Sequence, residues 1–126
     1  MADADLPHDP LLLAAFRAAV RARIARQLEH ERREAERFRE SVLPCLRAAV
    51  AVARARGWCG DVRLIGSFAW GLPRPDSDVD LVVEDCAEPD RLAAQIGRAC
   101  GRDVHVIPAR AAPKSLRERA AQGVAL

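Results

Sequence analysis

Tyrosine is missing altogether from this 126-residue chain, so no chemistry the protein performs can fall on a tyrosine of its own. Long apolar runs are missing too. Nothing approaches the roughly 18 consecutive apolar residues that a membrane span requires. The opening MADADLPHDP has no basic stretch leading into an apolar one, which argues against a secretory signal. Residues 16–39 have the arginines of an organelle transit peptide, but Glu29, Glu31, Glu34, Glu36 and Glu40 are acids that such peptides lack. Charge of one sign is scarce: 20 Lys plus Arg stand against 18 Asp plus Glu, a formal charge of +2 that nominates no direct nucleic-acid partner. The four cysteines, Cys45, Cys59, Cys86 and Cys100, form no C-x-x-C pair and have no histidine at zinc-finger spacing. Neither a structural metal nor a disulfide framework is signalled. They read as reduced, mostly buried thiols of a soluble, unprocessed, cytoplasmic protein.

What is present is enough for one core, since 50% of the residues are hydrophobic. Asp9 before Pro10 reads as a helix N-cap with proline at the first helical position, and Leu13, Phe16, Val20, Ile24 and Leu28 follow at helical spacing. The stripe thins through EHERREAERFRE and resumes at Phe38, Val42 and Leu46. Pro44 predicts either a fresh helix start or a kink, and a helix over 42–56 stops at Gly57. The period then changes. Val62, Leu64 and Ile65 predict one strand and Val79, Leu81, Val82 and Val83 a second, paired with it. PDRLAAQIGRAC predicts a helix, Val104, Val106 and Ile107 a third strand closed by Pro108, and KSLRERAAQ a last helix before Gly123. The expected fold class is α/β (α+β), a small mixed sheet with flanking helices and an N-terminal helical extension. We divide the chain into that extension, 1–41, and a domain, 42–126. The extension is polar on most faces with one apolar stripe, so it either packs on the domain or binds another chain, a second copy included.

Chemistry concentrates in residues 64–83, LIGSFAWGLPRPDSDVDLVV. Side chains alternate across a strand, so Asp78 and Asp80 are expected on one face, a few ångströms apart. Such a pair repels itself unless a cation intervenes, and oxygen-only donors suit Mg²⁺ or Mn²⁺. Gly66 and Ser67 follow a strand and can open a helix, where backbone and hydroxyl approach phosphate oxygens closely. Alone, each motif is common in purely structural roles. Arg74, in the loop between them, is either a phosphate contact or a solvated arginine. Trp70 and Trp58 read as core residues, and His8 and His30 as solvated.

Together, Gly66-Ser67-x-Ala69-x-Gly71 and Ser77-Asp78-x-Asp80-Leu81 resemble the signature of the polymerase-β-like nucleotidyltransferase superfamily, most of all its minimal branch, the MNT domain. The resemblance covers about residues 42–126. It implies that Gly66 and Ser67 contact a nucleoside triphosphate and that Asp78 and Asp80 hold divalent metal. One position departs from the pattern: a third carboxylate is usual on the last strand, and here the matching residue is His105. Asp103, one pleat away on the same face, could supply the missing oxygen. Alternatively His105 serves as base or metal ligand, or activity is lost.

The resemblance implies a Mg²⁺-dependent enzyme that transfers AMP from ATP to a hydroxyl. The chain lacks a second domain to recognise a nucleic acid or a small acceptor, which makes a protein acceptor the natural one. MNT domains of this kind resemble the antitoxin half of HEPN/MNT toxin-antitoxin pairs, whose MNT member AMPylates a tyrosine of its HEPN toxin. The N-terminal helix is then a docking element. Two rivals stand beside this reading: a catalytically silent module that neutralises its partner by contact, and a small-molecule nucleotidyltransferase.

Overall fold

The computed structural model describes residues 8–126. By internal contacts the chain divides between Glu34 and Ala35, whereas the sequence alone suggested a division after residue 41.

Helix α1 runs from Pro10 to Ala55. Its start is the predicted cap: Asp9 Oδ1 accepts the backbone N–H of Leu11 at 2.8 Å and of Leu12 at 3.3 Å, satisfying donors the first turn cannot pair internally. In its first unit Leu11, Leu12, Phe16, Val20, Ile24 and Leu28 are exposed. Glu29 is bound there by Arg32 at 2.8 Å and Arg33 at 3.1 Å, and those guanidiniums hold its carboxyl down at about 2.

Neither expectation for Pro44 as a helix start nor a division into two helices survives, for α1 continues through it. Pro44 has no N–H to give the Glu40 carbonyl, but both residues are exposed, so solvent can satisfy that oxygen. Val42, Leu46, Val50 and Ala53, buried on either side of it, hold the helix to the sheet. The end is as the sequence predicts. Gly57 takes φ 74°, and the N–H groups of Gly57 and Trp58 return to the carbonyls of Arg54 and Ala53, a left-handed stop that a side chain would oppose.

Four strands follow: β1 (Val62–Ile65), β2 (Val79–Val83), β3 (Val104–Pro108) and β4 (Val124–Ala125). Helix α2 (Ser67–Trp70) joins β1 to the loop before β2, α3 (Pro89–Cys100) joins β2 to β3, and α4 (Lys114–Ala120) precedes β4. The spatial order is β3-β2-β1-β4. β1 pairs antiparallel with β2 and β4, and β2 pairs parallel with β3, the arrangement that needs a crossover such as α3. The three longer strands and the helices α3 and α4 fall where the apolar periods put them. β4 is an addition, discussed below.

Strand alternation sorts the two faces. Leu64, Val79, Leu81 and Val83 pack with Leu46 and Val50 of α1, Phe68 of α2, and Leu92 and Ile96 of α3. Each fully buried Leu, Ile or Phe contributes about 1.5–3 kcal/mol. Ile65 and Val82 point to the other face, against Ala120 with Leu116 and Ile107 beside it. Asp80 and its β3 partner His105 share that second face, at its uncovered end. Of the cysteines, Cys59 and Cys86 are buried, Cys100 half-buried and Cys45 exposed. No described helix is long and apolar enough to cross a membrane.

Candidate active site

β1 ends at Ile65, paired with Asp80 of β2, so the residue after it must turn beside that carboxylate. Gly66 does so with φ 74°. A Cβ on it would lie 2.9 Å from Asp80 Oδ2, so both the backbone angle and the close approach demand glycine. Ser67 then opens α2, as the sequence predicts. The Gly66 carbonyl accepts the N–H groups of Ala69 and Trp70.

Sequence reasoning missed what holds this turn. Arg39 of α1 donates from Nε to the Phe68 carbonyl and from Nη2 to the Gly71 carbonyl at 2.8 Å. A forked, permanently charged donor spans two carbonyls that the four-residue α2 cannot satisfy itself. The pattern of the charged run gave no hint, because Arg39 reads there as one more solvated cation. Trp70, expected in the core, is instead 38% exposed, with the Arg119 guanidinium 4.5 Å above its ring.

Asp78 lies just before β2 rather than within it, yet it shares the Asp80 face. His105 shows this: its Nδ1 is 3.4 Å from Asp80 Oδ1 and its Nε2 is 4.0 Å from Asp78 Oδ2. The side chains are 50% exposed at Asp78, 35% at Asp80 and 62% at His105, so the group opens to solvent. Burial pushes the Asp80 carboxyl above its usual range; His105 draws it down and Asp78 pushes it up again. Asp103 is exposed, and its backbone carbonyl accepts the Val79 N–H at 2.9 Å. Gly66, Asp78, Asp80 and His105 are thus brought together, with Ser67 next in the chain. Arg74 is not part of that contact set. Its backbone N–H is held by Ser77 Oγ at 2.8 Å in a turn whose return bond runs from Ser77 N to the Arg74 carbonyl, and it is exposed.

Among the described residues no three His, Cys, Asp or Glu side chains converge so as to hold a metal by themselves. Two adjacent carboxylates nonetheless suit Mg²⁺, which is typically held by one or two carboxylates while water and substrate phosphates complete its shell. Burial is the main cause that raises Asp80 and the Asp78 charge a lesser one; a cation there would oppose both.

A solved structure described provisionally as a minimal nucleotidyltransferase matches this fold with a TM-score of 0.59 and 28% identity, over 70% of this chain and 93% of that one. The chain has the fold of that minimal nucleotidyltransferase. No protein-family model and no curated protein matches the sequence. In the minimal nucleotidyltransferase fold found here, the sheet end bearing Asp80 and the turn at Gly66 meet across a single pair of strands.

Proposed function

We propose that the protein is a nucleotidyltransferase that moves AMP from ATP to a hydroxyl of a partner protein. The acceptor is a tyrosine of a HEPN-type toxin, for which this chain serves as the cytoplasmic antitoxin. The observation that carries the reading is the 2.9 Å spacing between a Cβ position at Gly66 and Asp80 Oδ2, which sets the bare backbone of the turn directly against a carboxylate. Asp78 and Asp80 would hold Mg²⁺ or Mn²⁺, with Gly66 and Ser67 cradling the triphosphate and Arg74 near enough in the chain to add a cation. The metal, when bound, neutralises phosphate charge and makes the acceptor hydroxyl more acidic.

The residues themselves mainly position reactants. The acceptor oxygen bonds to the α-phosphorus, the bond from that phosphorus to the pyrophosphate oxygen breaks, and its electron pair leaves with pyrophosphate. His105 stands where the family has a carboxylate and as neutral imidazole can take the hydroxyl proton, with Asp103 two residues before it on the approach to β3. Support for a protein partner comes from α1, where the exposed Phe16, Val20 and Ile24 are accompanied by Arg17, Arg21, Arg23 and Arg26 without an acid between Pro10 and Leu28. Such a face suits an acidic amphipathic helix.

One observation favours a second reading, the catalytically silent module: the His105 ring lies within 4.0 Å of both carboxylates and, in its charged form, can neutralise them without metal. Calorimetry of ATP binding with and without Mg²⁺ separates the two. We expect Mg²⁺-dependent binding that Asp78→Ala/Asp80→Ala abolishes, together with transfer of labelled AMP to a co-expressed partner by wild type alone. Absence of nucleotide binding by wild type would leave the silent module.

A further inference from the structure

The four cysteines are scattered in the sequence, yet the fold sorts them into two pairs. Cys59, ahead of β1, and Cys86, beyond β2, are both buried in the main core. Burial pushes the Cys59 thiol up, Arg54 draws it down, and the neighbouring Cys86 pushes it up again. Cys45 of α1 and Cys100, the last residue of α3, meet within the larger unit. The Cys45 thiol donates to the Ala99 carbonyl at 3.4 Å and is hydrogen-bonded with the Cys100 thiol. Of the two pairs this one reaches solvent, with Cys45 exposed and Cys100 half-buried. We infer that Cys45 and Cys100 form a peroxide-sensitive site, at which a hydroperoxide converts the two thiols into an intramolecular disulfide that staples α1 to the end of α3.

Exposure divides the work between the two sulfurs. Cys45 meets the oxidant: its thiolate attacks one peroxide oxygen, the O–O bond breaks, and a sulfenic acid forms as an alcohol, or water from hydrogen peroxide, departs. Cys100 is kept protonated chiefly by burial, so it follows as the resolving partner and is not the first nucleophile. Its sulfur attacks Cys45 Sγ, the S–O bond breaks, and the departing hydroxide takes the Cys100 proton and leaves as water. Two thiols thus give two electrons and two protons to one hydroperoxide, leaving one disulfide, one alcohol and one water.

Both backbones can yield the short approach that an S–S bond requires. Cys45 follows Pro44, where α1 is one hydrogen bond short. Cys100 is followed by Gly101 at φ 63°, where α3 ends. The bond would close a long loop, from 45 to 100, and so restrict the unfolded chain more than the folded one.

The test exposes the reduced full chain to a few equivalents of hydrogen peroxide, then alkylates it in urea and weighs its peptides. A Cys45–Cys100 linked peptide is expected from monomeric protein, cleaved by dithiothreitol, with Cys59 and Cys86 recovered as alkylated thiols. The oxidised chain should melt about 5 °C higher than the reduced one, and dithiothreitol should reverse the shift. Cys100→Ser should halt the reaction at a Cys45 sulfenic acid that dimedone captures, and Cys45→Ser should leave Cys100 a thiol. A wild-type digest without the Cys45–Cys100 peptide, with Cys45 left as a thiol, carried on to sulfinic acid or joined to a second chain, overturns the inference. So does a digest in which Cys59 or Cys86 is linked as often as the surface pair.

Discussion

His105 Nδ1 stands 3.4 Å from Asp80 Oδ1, across the parallel pair β2 and β3. The imidazole draws the Asp80 carboxyl down, but burial, the largest effect, and the Asp78 charge keep it above its usual range. A carboxyl whose pKa is higher in the folded chain than in the unfolded one binds its proton more tightly when folded. Its contribution to stability is therefore full below the unfolded value near 3.8 and is lost as pH rises through the folded value. In metal-free buffer at pH 7, Asp80→Asn should melt higher than wild type, by on the order of 1–3 °C, and the gap should close as pH falls below about 4. Added Mg²⁺ should raise the wild-type midpoint and leave that of the variant unchanged. Thermal melts across pH and Mg²⁺ concentration check both.

Gly66→Ala should be costly twice over. The backbone at φ 74°, ψ −151° is essentially confined to glycine and penalises a Cβ by about 1–3 kcal/mol, and the methyl would press on Asp80 Oδ2. Urea denaturation should register the first, and calorimetry should show ATP affinity reduced by an order of magnitude or more.

Arg39→Ala removes the donor that holds the Phe68 and Gly71 carbonyls and should cost about 2 kcal/mol, the usual scale for a charged hydrogen bond. Lysine, a point donor, cannot span both oxygens. Arg39→Lys should therefore recover only part of the stability. Hydrogen exchange at the Ala69, Trp70 and Gly71 amides should quicken in both variants, by more in Arg39→Ala.

Cys100 sits at the end of α3 with its thiol pushed up to about 12, chiefly by burial and then by its hydrogen bond with Cys45. Almost none of it is thiolate at pH 8, and thiolate is the reactive form. Iodoacetamide should label the exposed Cys45 first and leave Cys100 unmodified on the same timescale, as peptide mass spectrometry would show. Alkylation of Cys100 ahead of Cys45 would contradict the burial.

The sequence disclosed the parts whose signals are local. Val62, Leu64, Val79 and Leu81 announced two strands by composition and alternation, Asp9-Pro10 the start of α1, and Gly57 its end. It did not disclose what depends on packing. Pro44 reads as a breaker, yet the helix persists because the orphaned Glu40 carbonyl faces solvent and buried residues flank it on both sides. β4 is two residues long, too short for any period. Its register depends on Gly123, where a Cβ would fall 2.4 Å from the Leu64 carbonyl. For the site, strand alternation put Asp78 and Asp80 on one face, while Gly66, Ser67 and His105 were singled out only by the resemblance to the nucleotidyltransferase signature. Arg39 was not, since its role exists only once α1 lies beside the turn 29 residues later in the chain.

Gly123→Ala should accordingly detach β4 from β1, at a cost of about 1–3 kcal/mol for the overpacking. Loss of protection at the Leu126 amide, which donates to the Val62 carbonyl at 3.0 Å, would report it directly.

The strand order leaves β3 and β4 as the two rims of the sheet, and unpaired rims are where chains fuse into aggregates. Both rims are blunted. β4 offers only Val124 and Ala125, and β3 finishes in Pro108, which has no N–H to extend a ladder. The β3 rim, which carries His105, can therefore stay open to another molecule's side chain without becoming a template for another molecule's strand.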